Sequence, residues 1–363
     1  MSGVRVLLVG PYPPRRCGIG RYAAAQAERL RADGDSVVVL SPPDGNGEVR
    51  TPFVGGAALR RAASLGARFD RIIVHYETGI WFRPRSPVTH VLTAASLLWL
   101  VLRWPCVEIV VHEAQTPPSL LRPDYALLRL AFARATLRFH SRAERAAFES
   151  AYRVRTRAAI IDHTQGVAVQ TAMTRDGARA RLGLDVAGPL FVCAGFIQPD
   201  KGFERAIRAF AAAGSHGQLA IVGSVRDPTD ERLRYVAELR TTAARSDHVT
   251  IVERFVDDEE FEAWVTAADV FVLPYRRAWS SGALARAQRL GTPAFVSDVG
   301  GLAEQAGARD RVFRTDDELA ALMREAMSPP TRRGPAGGDP SGGSGDSIGA
   351  RDDASGDPRR EER

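Results

Sequence analysis

Short runs of valine, isoleucine and leucine alternate along the chain with longer stretches in which apolar residues recur every three or four positions. Continuous apolar runs are typical of parallel strands buried on both faces, and the longer pattern is typical of amphipathic helices such as 21–31 and 203–213. Strands are predicted at residues 4–10, 36–41, 71–76, 107–112 and 158–163 and, after a polar stretch near 166–188, at 190–196, 219–223, 249–254, 270–275 and 293–298. The repeated strand–helix order predicts an α/β fold of two doubly wound, Rossmann-like domains in tandem.

The chain length of 363 residues agrees with two domains, because single hydrophobic cores stop growing near about 250–300 residues. We place the first domain at residues 1–168, a linker at 169–188 and the second domain at 189–327. Residues 328–363 contain eight glycines, five prolines and one large aliphatic side chain, Ile348. Such a segment buries too little apolar surface to offset its ordering entropy, so we predict a disordered tail there.

Positive charge is unevenly distributed between the predicted domains. Residues 1–168 carry 23 arginines against 13 acidic residues, whereas residues 169–327 carry 20 basic against 23 acidic residues. A basic surface of this kind favours an anionic membrane or is simply solvated. Nucleic acid is disfavoured as the partner, because the first domain has no nucleic-acid-binding motif in which basic residues are interleaved with aromatic ones.

Two apolar segments bear on whether the chain crosses a membrane or carries a signal peptide. The apolar run at 91–102 falls short of the roughly 20 residues that cross a bilayer, so we expect a buried helix. Its end, which contains Trp99, Arg103 and Trp104, leaves a role at a membrane surface open. Residues 4–10 lack the features of a signal peptide.

Three cysteines without C-x-x-C spacing predict neither a disulfide framework nor a zinc site, and they favour a reducing cytoplasm. We also find no H-E-x-x-H, Walker or G-x-S-x-G motif, so neither a metal nor an organic cofactor is expected.

A glycine-rich loop follows the first predicted strand and contains Gly18-Ile-Gly20-Arg-Tyr-Ala23. A dinucleotide site is disfavoured, because seven residues separate Gly10 from Gly18 and no acidic residue ends the second strand. Two interpretations remain: a plain junction between loop and helix, or a helix start whose free amides approach an anionic ligand.

His112 ends the predicted strand at 107–112. Two interpretations are open, a structural histidine and a functional one facing the cleft between the domains. His163, which ends the strand at 158–163, has the same two interpretations and is a weaker functional candidate. The remaining histidines, His75, His90, His140, His216 and His248, are interpreted as structural or surface residues.

The loops of the second domain carry the sharper signal. Lys201, the one lysine of the chain, precedes Gly202 in the loop after the strand at 190–196. A compact ammonium beside free backbone donors suits a diphosphate. Two further loops, Ser280-Ser281-Gly282 and Gly300-Gly301 leading to Glu304, open helices after strands of the same sheet. Together they predict a site for a nucleoside diphosphate.

The spacing of these motifs resembles the family-4 retaining glycosyltransferases of the GT-B fold over residues 3–327. The resemblance implies two facing domains, the second binding a nucleoside diphosphate sugar and the first supplying the acceptor site. By position, Lys201 would hold the diphosphate and stabilise charge on the leaving phosphate, and His112 would contact the donor sugar. The implied donor-binding residues are Gly18, Gly20, Ser281, Gly282, Gly300, Gly301 and Glu304.

The chain departs from the family pattern at the usual pair of glutamates, whose positions hold Ala278 and Arg286. The arginine that commonly partners the lysine is also absent, with Phe196 and Gln198 in that loop. The chain resembles a subgroup with Ser-Ser-Gly in place of the first glutamate motif, so donor recognition would use groups such as Ser281 and the Gly282 amide.

The expected function is the transfer of a hexose, with retention, to a saccharide or lipid-linked acceptor in polysaccharide or glycolipid biosynthesis. The enzyme would work in the cytoplasm at the inner face of the cell membrane. Two alternatives remain open at this point: a non-catalytic protein that binds sugar nucleotides, and a dinucleotide-dependent oxidoreductase.

Overall fold

The computed structural model describes residues 3–15, 17–82, 86–113, 121–170, 172–214, 216–226 and 228–328. The predicted disordered tail lies outside these residues except for Ser328. Two parallel sheets with helices on their faces confirm the predicted α/β architecture. Both belong to one compact unit that ends at Met327.

The first sheet has seven parallel strands in the order β3-β2-β1-β4-β5-β6-β7. Its strands are β1 (Arg5–Val9), β2 (Ser36–Ser41), β3 (Val49–Arg50), β4 (Arg71–Tyr76), β5 (Val107–Val111), β6 (Thr136–Phe139) and β7 (Arg157–Ile160). Its helices are α1 (Gly18–Ala32), α2 (Ala57–Leu65), α3 (Thr78–Trp81), α4 (Pro87–Arg103), α5 (Pro123–Arg134) and α6 (Arg142–Tyr152).

The second sheet has six parallel strands in the order β10-β9-β8-β11-β12-β13. Its strands are β8 (Leu190–Ala194), β9 (Gln218–Gly223), β10 (Val249–Glu253), β11 (Val270–Leu273), β12 (Ala294–Ser297) and β13 (Arg311–Phe313). The accompanying helices are α7 (Arg175–Leu182), α8 (Phe203–Ala213), α9 (Asp230–Ala243), α10 (Asp258–Ala267), α11 (Gly282–Leu290), α12 (Leu302–Gln305) and α13 (Asp316–Met327).

Strand β1 shows why the apolar runs are continuous. Val6 and Leu8 pack on the face of the sheet that α1 covers, whereas Leu7 and Val9 pack on the opposite face with the cluster that contains Leu97 of α4. All four strand side chains are completely buried. A strand covered on both faces needs apolar residues at every position rather than at alternate ones.

Three strands were missed by the sequence pattern, namely β3, β6 and β13. They are short, and β6 contains a charge, Arg138, whose side chain pairs with Glu108 of β5 at 3.1 Å. The predicted linker also contains a helix, α7, which two of its arginines tie to the second domain. Arg175 and Arg179 both bond the carboxylate of Asp269, each at 2.6 Å.

Helix α4 differs in part from the expected buried helix. One face packs into the first domain through residues such as Leu97 and Leu100, but the other face is exposed to solvent and apolar. Within the described chain, none of the helices has both the length and the apolar character needed to cross a membrane.

The topology places two loops at the points where the strand order of each sheet reverses. The glycine-rich loop follows β1, which lies between β2 and β4, and the Lys201 loop follows β8, which lies between β9 and β11. Ligands of open parallel sheets bind beyond the carboxyl ends of strands at such reversals. Both loops predicted to bind a ligand therefore lie where this fold forms its crevices.

Candidate functional site

Lys201 closes a single 3-10 turn, Pro199–Lys201, between β8 and α8. Its ammonium lies 3.7 Å from the centre of the Tyr275 ring. Among the residues that the structure describes, no carboxylate pairs with it. The positive charge is therefore held in place by an aromatic face and remains available to an anion.

Gly202 explains how the Lys201 loop is held against the neighbouring strand. Its backbone is left-handed, with φ +59°, and a Cβ at this position would collide with the carbonyl oxygen of Pro274. Glycine alone satisfies both conditions without strain. The close approach fixes Lys201 beside Tyr275, which follows β11.

Gly18 forms the first residue of α1, after Cys17, whose side chain does not cap the helix. The space beside Gly18 is open, because a Cβ there would have no neighbour within 4 Å. Gly20 instead lies buried against the backbone of Tyr12, at 3.4 Å for an added Cβ. Gly18 can therefore meet a ligand, whereas Gly20 lets α1 pack against its own loop.

Ser281 and Gly282 open α11. The Ser281 hydroxyl accepts a hydrogen bond from the Leu284 amide at 3.2 Å, and the Ser281 backbone is held on both sides by the side-chain amide of Gln305. The serine is the helix cap, a role typical of serine at this position. The Gly282 amide at the helix start remains the donor directed away from the helix.

Gly300 and Gly301 permit close packing between the two domains. Gly300 has φ +55°, and a Cβ on it would collide with the carbonyl oxygen of Ala278. A Cβ on Gly301 would collide with Ser141 of the first domain and with the carbonyl oxygen of Trp279. Side chains at these positions would push the loop before α11 and the first domain away.

A cavity of about 240 Å³ lies between the glycine-rich loop and the second domain, and we call it the glycine-loop cavity. It is lined by Gly18, Arg21, Tyr22, His163, Gly166, Val167, Ala194, Gly195, Phe196, Lys201, Phe261, Tyr275, Ser280, Ser281, Gly282, Ala283 and Arg286. The starts of α1 and α11 both border this cavity, so amides of two helix N-termini and one ammonium surround it. This set of donors suits an anion.

A second cavity of about 940 Å³, which we call the arginine cavity, adjoins the first. It is lined by His112, Glu113, Gln198, Asp200, Lys201, Arg226, Arg232, Arg276, Arg277, Ala278, Trp279, Ser280, Val299 and Gly300. Lys201 and Ser280 line both cavities. The ammonium therefore stands at their junction.

Two arginines of the glycine-loop cavity share one carboxylate across the domain boundary. Arg21 of α1 and Arg286 of α11 bind the same oxygen of Asp258, at 2.9 and 2.8 Å. Arg286 occupies a position where the resemblance implies a glutamate. It shares Asp258 with Arg21, so the three groups together keep a net positive charge, and the carboxylate ties the first domain to α10.

Four histidines lie together at the carboxyl ends of adjacent strands, around the ring of Tyr22. His75, His112, His140 and His163 follow or end β4 to β7, and each ring centre is 5.1 to 5.7 Å from that of Tyr22. Burial lowers the pKa of all four imidazoles, that of His75 to about 3 and that of His140 to about 4. The cluster is therefore neutral at pH 7.

His112 is oriented by His75. The Nδ1 atom of His75 lies 2.9 Å from Nε2 of His112, and the two rings are stacked. His75 is completely buried, and its other nitrogen, Nε2, has no hydrogen-bond partner among the described residues. The contact leaves Nδ1 of His112 as the atom that can meet a ligand.

Glu144 adds a carboxyl group to the histidine cluster. One of its oxygens accepts the backbone amide of His140 at 2.8 Å and lies 3.7 Å from Nδ1 of the same residue. Burial raises the pKa of Glu144 to about 8. The side chain is therefore a neutral acid at pH 7.

Glu304 lines neither of the two cavities. Its two carboxylate oxygens accept the backbone amides of Arg142 and Ala143, at 2.8 and 2.7 Å. Those amides begin α6 in the first domain, so a residue of the second domain caps a helix of the first. The structure thus gives Glu304 an interdomain contact, and its place near the sugar nucleotide stays a prediction.

The predicted residues separate into three groups. The glycine-loop cavity brings together Gly18, Lys201, Ser281 and Gly282, and the arginine cavity brings together His112, Lys201 and Gly300. Gly20, Gly301 and Glu304 line neither cavity. Among the described residues, no group of three His, Cys, Asp or Glu side chains is arranged to hold a metal ion.

Sequence reasoning missed the histidine cluster and the arginines that line the cavities. A signal was present for His75 and His163, because each lies within a predicted strand near its carboxyl end. His140 follows β6, a strand that the pattern did not reveal. Arg226 and Arg277 gave no local signal in a chain with 48 arginines.

Comparison with known sequences adds to this geometry. Residues 188–328 match the family model of glycosyl transferases group 1. A D-inositol 3-phosphate glycosyltransferase of Xylanimonas cellulosilytica is 32% identical over 132 residues, which is 36% of this chain and 31% of the relative. The corresponding protein of Streptomyces avermitilis is 38% identical over 138 residues, 35% of this chain and 29% of the relative. The chain thus matches about a third of the length of these curated relatives.

Solved structures with the same fold cover most of the chain. Sucrose-phosphate synthase from Thermosynechococcus elongatus has a TM-score of 0.65 and 18% identity, covering 89% of each chain. Anabaena HepE in complex with UDP has a TM-score of 0.66 and 16% identity over 90% of this chain and 89% of that one. The catalytic domain of starch synthase IV from Arabidopsis thaliana, bound to ADP and acarbose, has a TM-score of 0.62 and 15% identity over 90% and 92%. Residues 188–328 are thus similar in sequence to glycosyl transferases of group 1, and the two α/β domains have the GT-B fold of the solved structures.

Proposed function

We propose that this protein is a retaining glycosyltransferase, which moves a hexose from a nucleoside diphosphate sugar to a saccharide or lipid-linked acceptor in polysaccharide or glycolipid biosynthesis. The observation that carries the proposal is Lys201. Its ammonium has no carboxylate partner among the described residues and stands where the two cavities meet. A cation held at that junction suits the diphosphate that links a nucleotide to a sugar.

The surrounding groups fit the parts of such a donor. The diphosphate would lie among Lys201 and the amides at the starts of α1 and α11, with Gly18 and Gly282 nearest to it. Transfer breaks the bond between the anomeric carbon and a phosphate oxygen, so negative charge develops on the leaving group. The ammonium and the helix amides stabilise that charge, which lowers the barrier when the stabilisation is greater in the transition state.

His112 is assigned to the donor sugar. It lines the arginine cavity on the opposite side of the cleft from the Lys201 loop, and its ring is fixed by His75. The similarity of residues 188–328 to group 1 glycosyl transferases and the UDP bound by Anabaena HepE support this assignment of the donor. We propose that the reaction proceeds without a metal ion, so that a chelator leaves the rate unchanged.

A second function, binding of sugar nucleotides without turnover, is favoured by one observation. Ala278 and Arg286 replace the two glutamates that the resemblance implies, and Arg286 pairs with Asp258. The two functions share the donor site and differ only in catalysis. Release of nucleoside diphosphate from a donor, measured over hours with a panel of acceptors, separates them.

The donor site is tested by calorimetry with UDP, GDP, ADP and TDP. We expect at least one of them to bind and Lys201→Ala to weaken it by about 1.5–3 kcal/mol, the range for hydrogen bonds to charged groups. Arg245→Ala, which removes an exposed cation of the same domain, is the matched control and should leave the affinity within twofold. Failure of all four nucleotides to bind contradicts the proposed function, and unchanged affinity in Lys201→Ala removes Lys201 from the site.

We further propose that the protein works in the cytoplasm, against the inner face of the cell membrane. The exposed apolar face of α4 belongs to the domain that carries 23 arginines against 13 acidic residues. An exposed apolar stripe on a domain with an excess of basic residues suits an anionic lipid surface. The acceptor side of the cleft would then face the membrane that holds a lipid-linked acceptor.

A further inference from the structure

The walls of the arginine cavity are strongly basic. Among the described residues, its cations are Lys201, Arg226, Arg232, Arg276 and Arg277, and its carboxylates are those of Glu113 and Asp200. The second domain as a whole has more acidic than basic residues, 23 against 20 between positions 169 and 327. The basic wall is therefore a local feature of the cavity and does not reflect the charge of the domain.

The arginines of this wall differ in whether a carboxylate pairs with their positive charge. Arg276 pairs with Glu204 of α8. Arg226 lies over the ring of Phe196, 5.6 Å from its centre, and both Arg226 and Arg277 are exposed. Neither of these two guanidinium groups pairs with a carboxylate of the described residues. In the glycine-loop cavity, by contrast, both arginines share Asp258.

Two uncompensated guanidinium groups favour a particular class of ligand. A guanidinium presents a planar fork of donors that matches a phosphate or a carboxylate, so two such groups without a carboxylate partner in one cavity wall suit an anion. The two groups line the arginine cavity together with His112, and neither of them lines the glycine-loop cavity. The arginine cavity is thus the one that contains His112, the residue proposed to contact the donor sugar.

We propose that the arginine cavity binds a sugar that carries an anionic group of its own, a phosphate or a carboxylate, through Arg226 and Arg277. The inference rests on the proposed function for the position of the donor. The anionic sugar is either the acceptor or the transferred sugar. Both sources share the same chemistry, and a measurement on each distinguishes them.

The acceptor arm uses glucose 6-phosphate and glucose as probes, titrated calorimetrically into the full chain saturated with UDP. We expect the phosphorylated sugar to bind at least tenfold more tightly than glucose. The double variant Arg226→Gln/Arg277→Gln should lose this preference while its affinity for UDP stays within twofold. Arg245→Gln is the matched control, and the free energy of unfolding of each variant, measured by urea denaturation, shows that it is folded.

The donor arm compares UDP-glucuronate with UDP-glucose in the same three proteins. An anionic transferred sugar predicts at least tenfold tighter binding of UDP-glucuronate, lost in the double variant. A preference in the first arm alone assigns the arginines to the acceptor, and a preference in the second arm alone assigns them to the donor sugar.

Two outcomes overturn the inference. One is the lack of a preference for the anionic probe in both arms, or a preference that survives in the double variant. The other is a loss of UDP affinity in the double variant as large as the loss for the anionic sugars, which would assign both arginines to the diphosphate. If none of UDP, GDP, ADP and TDP binds, the proposed function fails, and titration of glucose 6-phosphate and inorganic phosphate without a nucleotide still decides the anion site.

Discussion

His75 has a stronger influence on the site than its burial alone indicates. Its Nε2 atom has no partner among the described residues, and an unpaired buried N–H costs more than an unpaired acceptor. The proton of neutral His75 is therefore expected on Nδ1, which donates to Nε2 of His112 at 2.9 Å. His112 must then carry its own proton on Nδ1 and present a donor to the cleft.

The prediction is that His75→Phe shifts His112 towards the tautomer with its proton on Nε2, and lowers turnover at least tenfold. Nitrogen-15 NMR of the histidine rings reports the tautomer directly and does not depend on activity. His75→Asn, whose amide can still donate, should restore part of the wild-type spectrum and rate. His248→Phe, at an exposed histidine, is the control, and an unaltered His112 signal in His75→Phe refutes the prediction.

The histidine cluster and Glu144 predict opposite responses of stability to pH. The four histidines titrate well below their ordinary pKa of 6.5, so acidification below 6.5 protonates only the unfolded chain and destabilises the fold. Glu144, with its pKa raised from 4.5 to about 8, stays protonated in the fold while the unfolded chain loses that proton. Its contribution falls as pH rises from 4.5 to 8.

We therefore expect the free energy of unfolding to decrease as the pH is lowered below 6.5, because the effect of four histidines exceeds the opposite effect of one carboxyl group. It should also decrease as the pH is raised from 6.5 to 8, where Glu144 alone contributes. Urea denaturation from pH 5 to 9 measures both limbs. Glu144→Gln should remove the alkaline limb and leave the acidic one. An alkaline limb of unchanged slope in this variant would show that another group is responsible.

At the level of elements, α4 combines two surfaces in one helix. Val88, Leu92, Trp99 and Leu102 recur at spacings of four, seven and three residues, so they share one face, and between 47 and 70% of each is exposed. The opposite face carries Leu97 and Leu100, which are buried. An exposed apolar stripe along a helix marks an interaction surface.

The prediction is that the full chain floats with vesicles containing anionic phospholipid and that Leu92→Glu/Trp99→Glu reduces the bound fraction at least fivefold. Leu233→Glu, on the exposed side of α9 in the second domain, is the matched control. Equal losses in both variants, or equal binding to neutral phosphatidylcholine vesicles, would contradict a role of this stripe at an anionic surface.

The elements show which parts of the fold the sequence could predict. Ten strands and the helices 21–31 and 203–213 were located because burial on one or both faces leaves a periodic pattern. Strand β6 was missed because Arg138, paired with Glu108, interrupts its apolar run. The sequence predicted a buried α4 and left a membrane-surface role open only at its Trp99, Arg103 and Trp104 end, because an apolar run gives no indication of which face meets a partner. The position of Lys201 was predictable, because it depends only on the local order of one strand and the loop that follows it.

At the scale of the whole molecule, contacts between the domains could not be predicted, because they depend on how two separately patterned units dock. The carboxylate of Glu304, a predicted donor-site residue, caps α6 of the other domain, and its role at the donor stays a prediction. Arg21, Asp258 and Arg286 form a second contact of this kind. These polar contacts stabilise the docked position of the two domains around the cleft. Each of them is partly exposed to solvent, so water can replace it when the domains separate.

We predict that Glu304→Ala loosens the docked arrangement. The variant loses two charge-assisted hydrogen bonds at a helix N-terminus, an interaction worth about 0.3–1 kcal/mol at an exposed position. Small-angle X-ray scattering should show a larger radius of gyration than in the wild type, with UDP partly restoring it. Glu325→Ala removes an exposed carboxylate paired with Arg311 within the second domain, and an equal expansion there would show that Glu304 has no special role.

Trp279 gives the cleft a natural optical label. Its backbone belongs to the loop between β11 and α11 of the second domain, yet its side chain packs against the apolar cluster of the first. Separation of the domains would transfer this indole from hydrocarbon contact into water, which shifts tryptophan emission to longer wavelength. With Trp99 and Trp104 replaced by phenylalanine, the remaining tryptophans would be Trp81 and Trp264, both buried, and Trp279. Changes in emission on mixing with a nucleotide would then follow the opening and closing of the cleft in real time, without a chemical dye.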